Sequence, residues 1–144
     1  MQETLIRQLR AECRPLLNKF YRGLRSHMRA PAGADYWVVG DTEIIGGLCL
    51  TDVADGQWLT GLMIAPHHRN QGLATRLLSS ALGGRRGTVW LFCEPELMPF
   101  YERVGFGASS AMPASLASRL DRYNRHKTLQ AMQYPSENQC LKRP

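Results

Sequence analysis

The sequence predicts an α/β (α+β) domain in which helices flank a mixed central sheet. Between residues 36 and 64, short runs rich in β-branched and aromatic residues alternate with turn signals, which is typical of strands. From Leu73 to Leu82 the apolar residues instead recur at helical spacing, and the next apolar run, 88–92, has the composition of a buried strand. This alternation of strands and helices predicts the fold class.

The first element is predicted to be a helix over residues 4–28. Its apolar residues recur at near-helical intervals with arginines between them; they are Leu5, Leu9, Leu16, Phe20 and Leu24. Pro15 breaks or kinks such a run, so the pattern fits two helices as well as one. Pro31 and Gly33 then end the helical region.

The other elements follow from the same patterns. Strands 36–39 and 44–50 are predicted to pair as an antiparallel hairpin, and a third strand, 58–64, ends before Pro66. Beyond it we expect a helix over 73–82, a strand over 88–92, a short helix over 96–104, a strand over 106–109, a helix over 113–126 and a last strand over 128–134. We therefore expect a single domain, 1–134, followed by a polar C-terminal tail, 135–144.

The composition is that of one globular domain, with 144 residues of which 44% are hydrophobic and 21% charged. The formal net charge of +6 is unevenly distributed, because residues 1–29 carry +5 and 113–144 carry +4, whereas 30–112 carry −3. The stretch that holds the motifs described below is therefore mildly acidic. This does not favour nucleic acid as the partner, and it slightly favours a cationic one.

Neither a metal site nor a membrane span is predicted. The four cysteines (Cys13, Cys49, Cys93 and Cys140) are scattered, so they indicate neither a zinc site nor a disulfide framework. No apolar stretch approaches the ~20 residues of a membrane-spanning helix, and the first residues lack the apolar block of a secretion signal. We therefore expect a cytoplasmic protein with free thiols.

The most informative segment connects the third strand to the next helix and contains Arg-x-x-Gly-x-Ala at residues 69–74. The first backbone N–H groups of a helix have no intrahelical partner and lie at the positive end of its dipole. Gly72 leaves room for a phosphate oxygen, and Arg69 can add a charge-assisted hydrogen bond. The segment is a candidate phosphate site, and an ordinary strand-to-helix turn is the alternative.

Together with a second motif, this segment resembles the GCN5-related N-acetyltransferases (GNAT). In that family Arg/Gln-x-x-Gly-x-Gly/Ala is motif A, which binds the pyrophosphate of acetyl-coenzyme A (acetyl-CoA). Residues 100–106, Phe-Tyr-Glu-Arg-Val-Gly-Phe, are similar to the end of motif B, Phe-Tyr-x-x-x-Gly-Phe. The resemblance covers roughly residues 36–109 and implies the acyl-CoA N-acyltransferase (GNAT) fold. Two features depart from the family pattern: no strand is predicted before the first helix, and Glu94 stands where motif B often has Asn.

The resemblance also implies how acetyl-CoA, the co-substrate, is bound. By this resemblance the pyrophosphate is bound by seven residues, Arg69, Asn70, Gln71, Gly72, Leu73, Ala74 and Thr75. In the family the third strand splays from the next one at a bulge, and the coenzyme's arm binds there like an extra strand. The corresponding backbone belongs to Leu62, Met63 and Ile64. The N–H of Met63 or Ile64 would polarise the thioester carbonyl, a contribution of ~3 kcal/mol in comparable sites.

The implied reaction is direct attack of an amine on the thioester, without a covalent enzyme intermediate. Tyr101 aligns with the tyrosine that the family often uses as general acid toward the departing thiolate. A phenol (pKa ~10) is a weaker acid than a thiol (pKa ~8.5), so hydrogen bonding to the developing thiolate is the expected role. The alternative for Tyr101 is packing between helix and sheet.

The sequence does not identify the general base or the acceptor. The third strand offers Gln57 and Thr60 but no carboxylate, and the nearby acids are Glu43, Asp52, Asp55 and Glu94. A water-relayed proton path is therefore the working hypothesis. The expected function is acetyl transfer from acetyl-CoA to a primary amine of a small molecule or protein. The alternatives are a non-catalytic CoA-binding regulatory module of the same fold and a nucleic-acid binder. A homodimer, which is common in the family, is left open.

Overall fold

The structure, a computed structural model, describes residues 5–109 and 111–135. In chain order its helices and strands are β1 (Ile6–Leu9), α1 (Arg14–Gly23), β2 (Asp35–Val39), β3 (Gly46–Val53), β4 (Gly56–Ile64), α2 (Leu73–Gly83), β5 (Val89–Cys93), α3 (Met98–Val104), β6 (Gly107–Ala108), α4 (Ala114–Tyr123) and β7 (Gln130–Tyr134). The strands form a mixed sheet in the order β1-β2-β3-β4-β5-β7-β6. The predicted fold class is confirmed.

The pairing directions explain why the sheet is mixed. β4 and β5 run parallel, which requires a crossover, and α2 lies in that connection. β1–β2, β2–β3, β5–β7 and β6–β7 are antiparallel. The predicted antiparallel hairpin of strands 36–39 and 44–50 is thus confirmed, as β2 and β3.

The helix predicted over residues 4–28 is wrong at its start, because Ile6–Leu9 is strand β1. It pairs with β2 in the register Leu9↔Tyr36, and Leu9 is buried. Four residues are too few to show whether the apolar residues repeat with a helical or a strand period. The leucine spacing therefore suggested a helix, whereas pairing with a strand distant in sequence determines the structure here. The expected absence of a strand before the first helix is thereby corrected.

Pro15 belongs to the first turn of α1 and does not break the helix. Proline is favoured there, because the N–H that it lacks would have no intrahelical partner. The side chains that α1 buries are Leu17 and Tyr21, whereas Leu16, part of the predicted apolar stripe, is 50% exposed. The face that α1 buries is therefore centred on Leu17 and Tyr21, next to the predicted stripe.

The chain divides into two compact units, the first formed by residues up to 51 together with 59–84. Its core contains Leu9, Leu17, Tyr21, Ala30, Ala34, Tyr36, Val38 and Cys49. Helix α1 packs closely on β3, since a Cβ added at Gly47 would lie 2.7 Å from Leu17 Cδ1. Burial of one such leucine stabilises the fold by about 1.5–3 kcal/mol.

The second unit is formed by residues 52–58 and those from 85 onward. Strands β5 and β7 pair through Leu91↔Met132 and their neighbours. Gln57 is fully buried; its Nε2 donates to Asp52 Oδ1 (3.4 Å) and its Oε1 accepts from the backbone N–H of Arg86 (2.8 Å). These hydrogen bonds satisfy an amide that would otherwise be costly to bury.

The later elements occur where they were predicted, with ends that shift by a few residues. Helix α2 begins at Leu73 as predicted, and α3 begins at Met98, after a 3₁₀ turn over Pro95–Leu97. Pro99 stands in the first turn of α3, which tolerates it. Helix α4 ends at Tyr123, before the predicted residue 126. Apart from Pro135, the predicted polar tail lies outside the described residues.

Candidate active site

The loop between β4 and α2 lies in the first unit and holds most of the predicted site residues. The backbone N–H of Ala65 donates to the Ile45 carbonyl oxygen (2.8 Å), and a 3₁₀ turn over Pro66–His68 follows. Asn70 and Gly72 both have left-handed backbone conformations, with φ of 64° and 76°. Asn and Gly are the residues that adopt this conformation most readily, so the sequence suits this tight connection.

The N-terminus of α2 has the properties expected of an anion site. Gly72 is its N-cap residue, no side chain caps the helix, and its first turn has no acidic residue. The N–H groups of Leu73, Ala74 and Thr75 therefore meet no capping side chain and lie at the positive end of the helix dipole. A Cβ at Gly72 would meet nothing within 4 Å, so the turn is open on that side. These features fit a diphosphate.

Arg69 lies in the loop between β4 and α2 and also binds the last residue of β4. Its Nε donates a hydrogen bond to the carbonyl oxygen of Ile64 (2.8 Å), and its side chain is exposed. One edge of the guanidinium group is thus used within the protein, while the group stays accessible to a ligand. The neighbouring Asn70 and Gln71 are also exposed.

Strand β4 has an irregular backbone immediately before Leu62, Met63 and Ile64. Gly61 has a φ of 71°, outside the range of a regular strand. The hydroxyl of Tyr21, a fully buried residue of α1, donates to the Gly61 carbonyl oxygen (2.7 Å). Sequence reasoning missed both residues. An isolated glycine within a strand is the signal that could have indicated a bulge, whereas nothing in the sequence points to Tyr21.

Tyr101 lies on α3 in the second unit, and its ring is part of an aromatic cluster. It meets the rings of Phe100 and Phe106 edge-on, with centroid distances of 5.0 and 5.7 Å, and is 8% exposed. Burial, with a smaller contribution from Cys93, raises the pKa of Tyr101 to about 12. Within the described residues its hydroxyl has no hydrogen-bond partner. The ring therefore packs, while the hydroxyl is uncommitted.

The acids considered as bases lie on the surface of the units that hold them. Glu43, Asp55 and Glu94 are exposed, and Asp52 forms an exposed ion pair with Arg86 (2.7 Å). Gln57, the polar residue at the start of β4, is fully buried and bonded within its own unit, as described above. Strand β4 itself contains no Asp or Glu.

Within the described part of the chain, no group of three or more His, Cys, Asp or Glu side chains is arranged to hold a metal ion. Cys13, Cys49 and Cys93 are free thiols. None of the helices described is both long and apolar enough to cross a membrane.

Comparison with known proteins assigns the family. Residues 32–107 match the acetyltransferase (GNAT) domain family, so the chain belongs to the GNAT acetyltransferases. The match includes both the loop around Gly72 and Tyr101, the two groups of residues that the motifs predicted. The predicted family is confirmed.

Three solved structures illustrate the shared fold. N-acetylglutamate synthase from Neisseria gonorrhoeae, complexed with coenzyme A and N-acetyl-glutamate, has a TM-score of 0.69 and 18% identity, covering 95% of this chain and 36% of its own. The ribosomal-protein-S18-alanine N-acetyltransferase from Escherichia coli has a TM-score of 0.66 and 15% identity, covering 93% and 94%. A chimera of the spermidine N-acetyltransferase SpeG from Vibrio cholerae with hSSAT has a TM-score of 0.60 and 17% identity, covering 93% and 96%. This chain spans about a third of the synthase's length.

Proposed function

We propose that the protein is an acetyl-CoA-dependent N-acetyltransferase that transfers the acetyl group to a primary amine of a small molecule or protein by direct attack. The observation that carries the proposal is the uncapped N-terminus of α2 behind the left-handed Gly72. A helix start without a side-chain cap or an acidic residue in its first turn is suited to an anion. Membership of the GNAT family supports the diphosphate of acetyl-CoA as that anion.

In this proposal the diphosphate binds the backbone N–H groups that follow Gly72, on Leu73, Ala74 and Thr75. Arg69 adds a charge-assisted hydrogen bond from the guanidinium edge that Ile64 does not use. Asn70 and Gln71, both exposed, contribute polar groups at the mouth of the loop.

The pantetheine arm, in turn, binds the backbone of Leu62, Met63 and Ile64, in the manner of an added strand. A backbone N–H of Met63 or Ile64 polarises the thioester carbonyl and stabilises the oxyanion that forms when the amine attacks. One such donor contributes ~3 kcal/mol in comparable sites. The irregular backbone at Gly61, directly before this segment, supports a specialised role for it.

Tyr101 is proposed to hydrogen-bond to the thiolate that departs. A phenol whose pKa is about 12 is a poor proton donor to a thiolate whose conjugate acid has a pKa near 8.5. Full proton transfer would be uphill by about 5 kcal/mol, whereas a hydrogen bond to the developing charge lowers the barrier. Its uncommitted hydroxyl supports this role.

Both reacting groups also exchange protons with solvent. The amine nitrogen forms the new C–N bond as the C–S bond breaks, so the nitrogen must lose a proton and the sulfur must gain one. No carboxylate on β4 is available for the first step, and we propose that water relays the amine proton to bulk solvent and that the thiolate takes its proton from solvent.

Charge and the relatives support a choice of acceptors to test. The residues around the motifs are mildly acidic, which favours a cationic amine. By their descriptions, the relatives named above act on different amines: an amino acid, an alanine of ribosomal protein S18, and spermidine. A panel of L-glutamate, an alanine-initiated peptide and spermidine therefore samples three acceptor types. We further propose a single catalytic domain over 1–134 that acts in the cytoplasm.

The test has two parts. Calorimetric titration with CoA should show saturable binding, and acetyl-CoA incubated with each amine should release free thiol with at least one of them. No binding of CoA would overturn the proposal. Binding without thiol release on a broad range of amines would overturn the catalytic part.

The second candidate is a non-catalytic CoA-binding regulatory module of the same fold. Two observations favour it: β4 contains no Asp or Glu, and Glu94 replaces the Asn of motif B. This candidate predicts CoA binding without turnover, and a Tyr101→Phe variant that behaves like the wild type. The same two measurements therefore separate the candidates.

A further inference from the structure

The bulge in β4 has a specific partner in the core of the first unit. At Gly61, with a φ of 71°, the peptide turns away from regular strand geometry, and its carbonyl oxygen accepts the 2.7 Å hydrogen bond from the Tyr21 hydroxyl. Tyr21 is fully buried, and its hydroxyl also contacts Cys49 Sγ at 3.8 Å. A Cβ at Gly61 would lie only 2.5 Å from that hydroxyl, so the two residues fit each other closely.

The hydroxyl is a permanent donor in this position. Burial raises the pKa of Tyr21 far above its ordinary value, so the phenol keeps its proton throughout the physiological range. If the hydroxyl were absent, the Gly61 carbonyl would lose this hydrogen bond. Loss of a hydrogen bond at a partly buried carbonyl is costly, so the peptide would be expected to rotate.

The segment proposed to bind the thioester lies between two anchors. Upstream is the Tyr21–Gly61 hydrogen bond. Downstream, the Ile64 carbonyl accepts from Arg69 Nε, and the Ala65 N–H donates to the Ile45 carbonyl, both at 2.8 Å. In a strand the direction of each N–H depends on the peptide before it, so the conformation at Gly61 determines where the following N–H groups point.

We infer that Tyr21 is a positioning residue, whose hydrogen bond to Gly61 holds the bulge of β4 and thereby orients the backbone N–H groups of Met63 and Ile64. This inference rests on the proposed function, in which one of those N–H groups polarises the thioester carbonyl. Tyr21 acts only through Gly61 and contacts no reacting atom.

The test removes the hydroxyl alone, by Tyr21→Phe. The matched control is Tyr36→Phe, because Tyr36 is equally buried in the same unit and its hydroxyl also donates to a backbone carbonyl, that of Pro31. For acetyl-CoA with the panel amine that gives the fastest turnover, kcat of Tyr21→Phe should fall about ten-fold, as expected for a displaced oxyanion donor. The affinity for CoA, measured by calorimetry, should change less than about two-fold, since the diphosphate loop is intact. Tyr36→Phe should leave kcat unchanged.

A second pair of variants covers the case in which Tyr21→Phe does not fold. Gly61→Ala disturbs the same contact from the strand side, and Gly33→Ala is its control, because Gly33 has a similar φ of 78° but nothing within 4 Å of an added Cβ. Gly61→Ala should lower kcat at least as much as Tyr21→Phe, and Gly33→Ala should not. If folded Tyr21→Phe or Gly61→Ala keeps wild-type kcat, the inference is overturned.

An NMR readout separates this inference from the proposed function. Amide chemical shifts of residues 62–64 should move in Tyr21→Phe and stay in place in Tyr36→Phe, with or without coenzyme. If the amide chemical shifts of residues 62–64 are unchanged in Tyr21→Phe, the inference is overturned even if the enzyme is active. If the shifts move but wild-type protein does not bind CoA, Tyr21 holds the bulge while the proposed function, and with it the catalytic meaning of the bulge, is rejected.

Discussion

The Nε of Arg69 donates a 2.8 Å hydrogen bond to the carbonyl oxygen of Ile64. This bond joins the residue that opens the Arg-x-x-Gly-x-Ala motif to the last residue of β4. The strand that is proposed to hold the thioester and the loop that is proposed to hold the diphosphate are therefore fixed to each other through one guanidinium group. Arg69 therefore has a structural role, holding the end of β4, in addition to the expected contact with phosphate.

Replacing Arg69 with lysine tests this double role. Lysine keeps the positive charge but cannot donate to Ile64 from a planar group while it also faces a phosphate. We expect Arg69→Lys to raise the calorimetric Kd for CoA about ten-fold, the equivalent of one lost charge-assisted hydrogen bond. Arg22→Lys, at an exposed arginine of α1, is the control and should bind as the wild type does. Wild-type affinity in Arg69→Lys would refute the assignment.

Gly72→Ala tests whether the start of α2 is a binding site or an ordinary turn. Alanine at a φ of 76° is strained by about 1–2 kcal/mol, and its Cβ enters the open side of the turn where the diphosphate is proposed to lie. Gly33→Ala has the same strain, at a φ of 78°, and equally open surroundings. We expect both variants to lose similar stability in urea unfolding, but only Gly72→Ala to lose CoA affinity, by at least ten-fold. Equal affinities would favour the ordinary turn.

Tyr101→Phe separates catalysis from packing. The ring would still pack on Phe100 and Phe106, while the uncommitted hydroxyl is removed. We expect kcat to fall by about 10- to 100-fold with little change in CoA affinity, as for loss of a group that acts mainly in the transition state. Tyr123→Phe, at an exposed tyrosine of α4, should retain full activity. An active Tyr101→Phe variant would support the packing role alone.

The same residue makes a prediction for the pH dependence of catalysis. Because the pKa of Tyr101 is raised to about 12, its hydroxyl stays protonated well above neutrality. A loss of kcat that depends on Tyr101 should therefore begin only above pH ~11. A steady-state pH profile in which a fall between pH 8 and 10 disappears in Tyr101→Phe would contradict this.

Alkaline stability tests the burial of the core thiol. Burial raises the pKa of Cys49 to about 11 from an ordinary value of 9.0, and Tyr101 is shifted in the same direction. Above pH 9 the unfolded chain loses the thiol proton before the folded chain does, so the free energy of unfolding must fall as the pH rises. When the folded chain binds one proton more than the unfolded chain, the free energy of unfolding falls by about 1.4 kcal/mol per pH unit.

Urea unfolding at pH 8, 9 and 10 measures this effect. The stabilisation that comes from the buried neutral thiol is fully present below pH 9, so the decline should begin there. Cys49→Ala should make the free energy of unfolding fall less steeply between pH 9 and 10. Cys13→Ala, at a partly exposed thiol, is the control and should leave the slope unchanged. An unchanged slope in Cys49→Ala would show that Cys49 ionises normally in the folded protein.

Sequence reasoning succeeded where the physical cause is local. The helical period from Leu73 and the glycine at its start fix α2 and its free N–H groups without help from the rest of the chain. The positions of Pro99 and Gly105 similarly delimit α3.

It failed where the cause is a contact distant in sequence. Strand β1 exists because Ile6–Leu9 pairs with β2, which no local period of four residues can show. The Tyr21–Gly61 hydrogen bond joins residues 40 positions apart. The apolar pattern of α1 indicated Leu16 and Phe20, whereas the helix buries the adjacent Leu17 and Tyr21.

The most direct test of the central claim is a titration of ¹⁵N-labelled protein with CoA followed by amide chemical shifts. If the start of α2 and the end of β4 bind the coenzyme, the largest shifts should fall on residues 72–75 and 62–64, with saturation and a single Kd. The Gly72→Ala variant should need a higher CoA concentration for the same shifts. Saturable binding that leaves the amide shifts of residues 62–64 and 72–75 unchanged, or no binding at all, would contradict the account.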